Sequence, residues 1–222
     1  MKLQALCFDL DGTLLNTLED LAFATNNALR KQGLPEHPVP AYRQFVGEGA
    51  ARLVEKVLPE AERTPARQAQ LLEAFHQEYA TCWDQRTKLY DGIGAMLDRF
   101  AAWQVPMTVL SNKPDAFTQE CVSAFLGSWS FQVVFGQREG IARKPDPAGV
   151  LEIAQQLGVS PQAICFVGDT MVDMQTATGA GSFPVGVTWG FRDADELLEH
   201  GAHLLVDHPA ELSDWWAQHH RP

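Results

Sequence analysis

Short, uninterrupted apolar runs recur along the chain. The runs are continuous rather than alternating, which is typical of strands whose two faces are both buried. Helix-like segments separate these runs from Met107 onward. Alternating strands and helices predict an α/β protein with a doubly wound parallel sheet. The predicted strands cover residues 6–8, 107–110, 133–135, 164–167, 185–187 and 204–206.

The regular spacing of the runs is interrupted once, between residues 8 and 107. A crossover between parallel strands needs only about a dozen residues, so this gap is long enough for an inserted domain. Apolar positions within it recur at helical spacing, at Leu18, Leu21, Ala22, Thr25, Ala28 and Leu29, and again at Leu71, Leu72, Phe75, Tyr79 and Cys82. We predict a helical domain over 16–89, inserted into a core domain made of 1–15 and 90–222.

Composition and charge exclude several classes of protein. The formal net charge is −11 and no Lys/Arg cluster is visible. A nucleic acid or an anionic membrane attracts a basic face, so neither is an expected partner. No apolar run approaches the ~18 residues that a membrane span needs.

The cysteines and the first residues indicate a cellular compartment. Cys7, Cys82, Cys121 and Cys165 form no C-x-x-C pair, and the first residues do not resemble a secretion signal. Both observations favour a reducing, cytoplasmic setting.

Two carboxylates follow the first predicted strand. Asp9 and Asp11 are two residues apart, so an extended backbone points both side chains to one side. Two such carboxylates can divide the work of catalysis, one as nucleophile or metal ligand and the other as acid and base. The alternative is a solvated Asp-Gly turn.

Two later strands also end in polar residues. Ser111 and Asn112 follow one run, where a hydroxyl and backbone N–H groups can bind phosphate oxygens. Asp169 follows another run directly, and Asp173 lies one helical turn further on. Carboxylates at that spacing suit Mg²⁺, although acidic residues also stabilise a helix N-terminus. Taken alone, the Ser/Asn pair favours a simple turn.

A lysine lies between the prolines and the arginine of a short loop. Lys144 belongs to the stretch Arg143-Lys144-Pro145-Asp146-Pro147, and the prolines favour a fixed loop that opens a helix at Ala148. Such a lysine supplies a well-held positive charge, whereas the alternative is an ordinary surface lysine.

The combination of these motifs is more specific than any one of them. D-x-D-G-T at 9–13, a strand-end Ser111, K-P-D-P at 144–147 and G-D-x-x-x-D at 168–173 follow one another in this order. This order resembles the haloacid dehalogenase superfamily of phosphatases, and within it the phosphoglycolate phosphatase-like group. The resemblance implies a Rossmann-like core with an inserted α-helical cap domain.

The resemblance also implies the chemistry. Asp9 is the expected nucleophile, which forms an aspartyl-phosphate, and Asp11 is the expected acid and base. Mg²⁺ is the expected cofactor, held by Asp9, the backbone carbonyl of Asp11 and Asp169, with Asp173 in support.

The same resemblance implies how substrate is bound. Ser111 and the backbone N–H of Asn112 are expected to hold the phosphoryl oxygens, with Thr13 also on the substrate side. Lys144 is expected to neutralise the nucleophile and the phosphoryl group.

The predicted cap contains the stretch R-x-x-V-G-x-G at 43–49, which is similar to a cap motif of that group. Arg43 is a candidate contact for the far end of the substrate, and a surface arginine is the alternative. Gly47 and Gly49 are candidates for a flexible, substrate-binding loop.

We therefore predict a phosphatase acting on a small phosphorylated metabolite, with phosphoglycolate as the first choice of substrate. The core motifs leave open a sugar phosphomutase of the β-phosphoglucomutase type. They also leave open a phosphatase of sugar phosphates or nucleoside monophosphates. A non-catalytic binding module is disfavoured, because binding alone would not require Asp11 beside Asp9. The sequence does not determine the oligomeric state.

Overall fold

The computed structural model describes residues 2–220, and within them the chain forms eight strands and ten α-helices. The strands are β1 Ala5–Phe8, β2 Leu15–Asn16, β3 Lys88–Leu89, β4 Met107–Pro114, β5 Val133–Gln137, β6 Ile164–Gly168, β7 Phe183–Val187 and β8 Leu204–Val206. The helices are α1 Leu18–Lys31, α2 Tyr42–Phe45, α3 Ala50–Val57, α4 Pro65–Tyr79, α5 Ile93–Ala102, α6 Asp115–Leu126, α7 Ala148–Leu157, α8 Met171–Ala180, α9 Ala194–Glu199 and α10 Pro209–His219. None of the helices within residues 2–220 combines the length and the apolar character needed to cross a membrane.

Six strands form one sheet in the order β5-β4-β1-β6-β7-β8, and each neighbouring pair is parallel. The chain starts at β1, builds outward through β4 and β5, and then returns to the other side of β1 through β6. The order of strands therefore reverses beside β1, which is where open α/β sheets bind their ligands. The predicted doubly wound sheet is confirmed.

The structure extends one predicted strand. The apolar run at 107–110 predicts a strand that stops before Ser111, whereas β4 continues through Ser111, Asn112 and Lys113 to Pro114. These polar residues are buried in the fold. Polar side chains are buried at low cost only when they have partners, and the strand end has them, as described below.

Helices cover both faces of the sheet. On one side, α7 and α8 pack on the strands through a cluster that includes Val150, Ile153 and Phe166. In another part of the domain that contains the sheet, α5 packs against α10, where the rings of Phe100 and Trp216 meet edge to face with centroids 5.7 Å apart. This double cover explains the continuous apolar runs, because each central strand is buried on both faces.

The chain divides into two compact units, one made of Met1–Leu15 and Leu89–Pro222 and the other of Asn16–Lys88. The second unit contains α1 to α4, and α4 packs against α1 and α3. Phe75 and Tyr79 of α4 stack with ring centroids 5.4 Å apart, and both are buried. This unit therefore has a hydrophobic core of its own.

A buried carboxylate ties the two ends of the helical unit together. Asp20, in the first turn of α1, accepts hydrogen bonds from the backbone N–H of Arg86 at 2.9 Å and of Thr87 at 2.8 Å. The Thr87 hydroxyl donates a further bond at 2.9 Å. Since Asp20 is fully buried, these donors replace the water that the carboxylate loses. The residues that enter and leave the unit are therefore held side by side.

Asp20→Ala should lower the free energy of unfolding by about 3 kcal/mol, because it leaves the N–H of Arg86 and the buried N–H of Thr87 without their acceptor. Urea denaturation of the two proteins measures the difference. Asp84→Ala is the matched control, because Asp84 is an exposed acid of the same unit. Equal losses for the two variants would show that Asp20 does not hold the unit together.

Candidate active site

The carboxyl edge of the sheet brings together acids that are far apart in sequence. β1 and β6 pair in parallel with Phe8 opposite Val167, so Asp9 and Asp169 leave adjacent strands at almost the same level. The backbone N–H of Asp9 continues the ladder with a 2.9 Å bond to the Val167 carbonyl. The sheet therefore fixes the backbone positions of both acids.

Asp9, Asp169 and Asp173 form a buried cluster. One carboxylate oxygen of each lies within 4.8 Å of the others. Asp173 belongs to the first turn of α8, and its Oδ2 accepts bonds from the N–H of Thr170 at 3.1 Å and from the Thr170 hydroxyl at 2.8 Å. Asp173 thus stabilises the helix N-terminus and also belongs to the acidic cluster, while its support of Mg²⁺ stays a prediction.

Lys144 is buried among these carboxylates. Its Nζ lies 2.8 Å from Asp9 Oδ1 and 2.7 Å from Asp173 Oδ1. The Asn112 side chain donates a 3.0 Å bond to the Lys144 carbonyl, which fixes the loop that carries the lysine. Burial by itself lowers the pKa of Lys144, but the charges of Asp173 and Asp9 outweigh it and raise that pKa above its ordinary value. Lys144 therefore carries a positive charge at neutral pH. It is also buried, so the alternative of a surface lysine is wrong.

The acids lack enough positive charge around them. Burial, opposed by Lys144 and reinforced by Asp173, raises the pKa of Asp9 to about 7. Burial also raises the pKa of Asp169 well above its usual range, with the charges of Asp173 and Asp9 adding to the effect. Such shifts mean that the loss of water and the neighbouring carboxylates together destabilise the charged acids, and that a bound cation would offset this cost.

The set of donors fits a divalent cation. Among the residues that the structure describes, one ammonium group, that of Lys144, forms ion pairs within the buried cluster of three carboxylates. The excess of two negative charges matches the charge of Mg²⁺, and carboxylate oxygens are the ligands that this ion prefers.

Close packing leaves Asp169 one orientation. Its Oδ1 accepts a 3.0 Å bond from the Thr13 hydroxyl, and its Oδ2 accepts a 2.8 Å bond from the N–H of Phe191. Gly12 has a φ of +92°, and a Cβ there would lie 2.7 Å from Asp169 Cγ. A Cβ at Gly190 would lie 2.5 Å from the Gly12 carbonyl oxygen. Only glycine fits at these two positions, because the backbone passes directly over the carboxylate.

Thr13 is therefore placed beside an acid. The hydroxyl bonds Asp169, and the Thr13 carbonyl accepts a 2.9 Å bond from the indole N–H of Trp189. Its predicted contact with substrate stays a prediction. The positioning roles of Trp189 and Phe191 were missed, since the residue types alone do not show which backbone groups meet Asp169.

Sequence reasoning also missed Lys113. Its Nζ lies 3.0 Å from Asp11 Oδ1 and 3.1 Å from Asp11 Oδ2. Ser111 lies two residues earlier on β4, and its hydroxyl accepts a 3.2 Å bond from the Lys113 N–H. The alternation of side chains along a strand could have identified Lys113, because it places Lys113 on the same side of β4 as Ser111. The side chain of Asp11 thus pairs with Lys113, while its backbone carbonyl as a metal ligand stays a prediction.

The candidate residues of the helical unit lie on α2 and the loop after it. Arg43 is an exposed residue of α2. Gly47 and Gly49 flank Glu48, whose carboxylate pairs with Lys56 and lies 3.5 Å from Arg52 Nε. The loop is therefore attached to α3 through Glu48. Substrate contacts by Arg43, Gly47 and Gly49 stay predictions.

Comparison with known proteins agrees with this geometry. The family model of haloacid dehalogenase-like hydrolases matches residues 3–181. The phosphoglycolate phosphatase of Yersinia pestis is 32% identical over 212 residues, which are 95% of this chain and 91% of the relative. That of Mannheimia succiniciproducens is 34% identical over 190 residues, which are 83% of this chain and 85% of the relative.

A solved structure shows the same fold. A crystal structure from Lactobacillus delbrueckii subsp. bulgaricus, described as a candidate phosphoglycolate phosphatase, superposes with a TM-score of 0.91 at 30% identity, covering 97% of this chain and 98% of that one. The family match spans the motifs at Asp9 and Asp169 together with the helical insertion between β2 and β3. The chain therefore belongs to the haloacid dehalogenase-like hydrolases and is a phosphoric monoester hydrolase.

Proposed function

We propose that the protein is a Mg²⁺-dependent phosphatase that hydrolyses phosphoglycolate, a small phosphate monoester, through an aspartyl-phosphate on Asp9. The observation that supports this most strongly is the setting of Asp9. It is buried between the cation of Lys144 and two further carboxylates, with the second acid, Asp11, two residues away. Phosphoryl transfer depends chiefly on positioning and charge neutralisation, which this arrangement supplies.

The two oxygens of Asp9 differ in their surroundings. Oδ1 accepts bonds from the Leu10 N–H at 2.7 Å and from Lys144 at 2.8 Å. Among the residues the structure describes, no hydrogen bond to Oδ2 accompanies them. In the first step Oδ2 attacks phosphorus and the bond from phosphorus to the ester oxygen breaks. Asp11, which enters this step in its protonated form, donates its proton to the departing alkoxide and becomes a carboxylate.

The second step returns the site to its starting state. Asp11, now a carboxylate, removes a proton from water, and the water oxygen attacks phosphorus. The bond between phosphorus and Asp9 Oδ2 breaks, which releases inorganic phosphate and regenerates the carboxylate. Two displacements of this kind replace one harder displacement.

The surrounding residues hold the phosphoryl group. Ser111, in the polar second half of β4, binds phosphoryl oxygens together with the Asn112 N–H, and Lys144 offsets negative charge on Asp9 and on the phosphoryl group. Asp9, Asp169 and Asp173 would hold Mg²⁺, which supplies positive charge for a phosphate dianion when it is bound. A cytoplasmic setting, which we also propose, agrees with the four buried cysteines, all free thiols.

Asp9→Asn should reduce kcat with phosphoglycolate to below about 1% of wild type, because an amide is a poor nucleophile. Acid quench followed by mass spectrometry should find a phosphorylated peptide containing Asp9 in the wild type alone. Asp91→Asn, at an exposed acid of the same unit, is the control and should keep full activity. A variant at Asp9 that kept more than a few per cent of kcat would exclude the covalent role.

Removal of divalent metal with EDTA should abolish activity, and Mg²⁺ should restore it. Ca²⁺ should restore little, because it is larger and accepts looser geometry. Mg²⁺ should also raise the thermal midpoint of the wild type, since it relieves repulsion among the buried acids, and should raise that of Asp169→Asn less. Full activity after exhaustive chelation would contradict this prediction.

Arg43→Ala should lower kcat/KM for phosphoglycolate by at least about tenfold, because it removes a partner for the substrate carboxylate. It should change kcat/KM for p-nitrophenyl phosphate far less, since that ester has no second anion. Lys144→Ala should lower both values together, and Arg30→Ala, at another exposed arginine of the helical unit, should lower neither. Equal losses on both esters for Arg43→Ala would remove this reason for choosing an anionic substrate.

A further inference from the structure

Lys113 is a buried lysine with no assigned part in the chemistry. Its side chain is 3% exposed and that of Asp11 is 17% exposed. Its ammonium group bonds both carboxylate oxygens of Asp11, at 3.0 and 3.1 Å. A single ammonium group thus holds both oxygens of the Asp11 carboxylate.

The fold presents Lys113 to Asp11 from a fixed backbone. β1 and β4 pair in parallel with Phe8 opposite Val109, so the residues that follow each strand lie side by side. The Lys113 N–H donates to the Ser111 hydroxyl at 3.2 Å, and the Lys113 carbonyl accepts from the Thr118 hydroxyl at 3.2 Å. The backbone N–H and the backbone carbonyl of Lys113 are therefore both hydrogen-bonded. Lys113 lies in the part of β4, between Leu110 and Pro114, where the register against β5 shifts.

Stability alone does not account for this pair. Transfer of an ammonium group out of water costs several kcal/mol, and a buried ion pair is often no more stable than apolar side chains of similar size. The pair does give the carboxylate one orientation. An unheld Asp11, which retains some exposure, would be able to turn towards water and away from the reacting oxygen.

We propose that Lys113 is the positioning residue for Asp11. It holds the side chain of Asp11 where a proton can pass to the leaving group in the first step and be taken from water in the second. The role rests on the proposed function, because Asp11 has work to do only if it is the acid and base. Lys113 itself touches neither phosphorus nor the departing oxygen in this role.

The consequence is a dependence on the leaving group. The alkoxide that departs from phosphoglycolate is strongly basic and needs a proton, whereas p-nitrophenolate leaves without one. General acid catalysis contributes about 10²–10⁴-fold where a proton is needed. A misplaced Asp11 should therefore harm the first ester and spare the second at the step that kcat/KM reports.

The test begins with Lys113→Met, which keeps the length of the side chain and removes the charge. We expect kcat/KM to fall by about 10²-fold for phosphoglycolate and by less than about threefold for p-nitrophenyl phosphate. Arg99→Met is the matched control, since it breaks an ion pair with Asp214 in the same unit, and both esters should be unaffected. Equal losses on the two esters for Lys113→Met would overturn the proposal.

A double-mutant cycle gives a second readout that a structural role would not produce. Asp11→Asn should show the same dependence on the ester, and addition of Lys113→Met to it should cause no further loss. Multiplied losses in the double variant would overturn the proposal. This comparison also decides the matter if Lys113→Met alone fails to fold, because the double variant removes both charges and leaves no unpaired ion.

The same experiment separates failure of this proposal from failure of the proposed function. A wild type that releases no phosphate from either ester overturns both. An active wild type that loses activity in Asp9→Asn, combined with equal losses on the two esters for Lys113→Met, overturns the role of Lys113 alone.

Discussion

An excess of buried negative charge at one edge of the sheet is the constraint on which the site depends. Asp9, Asp169 and Asp173 lie within a few ångströms of one another, and one buried ammonium group, that of Lys144, bonds two of them. The loss of water on burial raises the pKa of Asp9 to about 7 despite the nearby Lys144, and the charge of Asp173 adds to the effect. A divalent cation would offset this excess and so remove much of its repulsion of a phosphate dianion.

The parallel sheet is what makes so crowded an arrangement possible. Reversal of the strand order beside β1 brings the ends of β1, β4 and β6 to one place. The backbone then does much of the positioning: the Phe191 N–H and the Thr170 N–H each bond a carboxylate. Gly12 and Gly190 allow the chain to pass close to Asp169. Rigid placement of this kind is the condition for electrostatic catalysis, because no reorganisation is then needed during the reaction.

Two lysines form ion pairs with acids at this edge of the sheet. Lys144 bonds Asp9 and Asp173, and Lys113 bonds Asp11. The proposed nucleophile, Asp9, and the proposed acid and base, Asp11, thus pair with separate cations on separate segments. In the helical unit, Asp20 is likewise a buried acid with fixed partners. Its carboxylate accepts hydrogen bonds from the backbone N–H groups of Arg86 and Thr87, which holds the start and the end of the unit together.

The sequence by itself determined the parallel sheet and identified all four acids of the candidate site, Asp9, Asp11, Asp169 and Asp173. Continuous apolar runs report strands buried on both faces, and acids at the ends of those runs must meet at one edge. Only the tertiary structure decided the partners. The bonds from Lys113 to Asp11, from Thr13 to Asp169 and from the Phe191 N–H to Asp169 all join residues far apart in the chain. Local pattern reports whether a position is buried, whereas the identity of a hydrogen-bond partner depends on which distant segments the fold packs together.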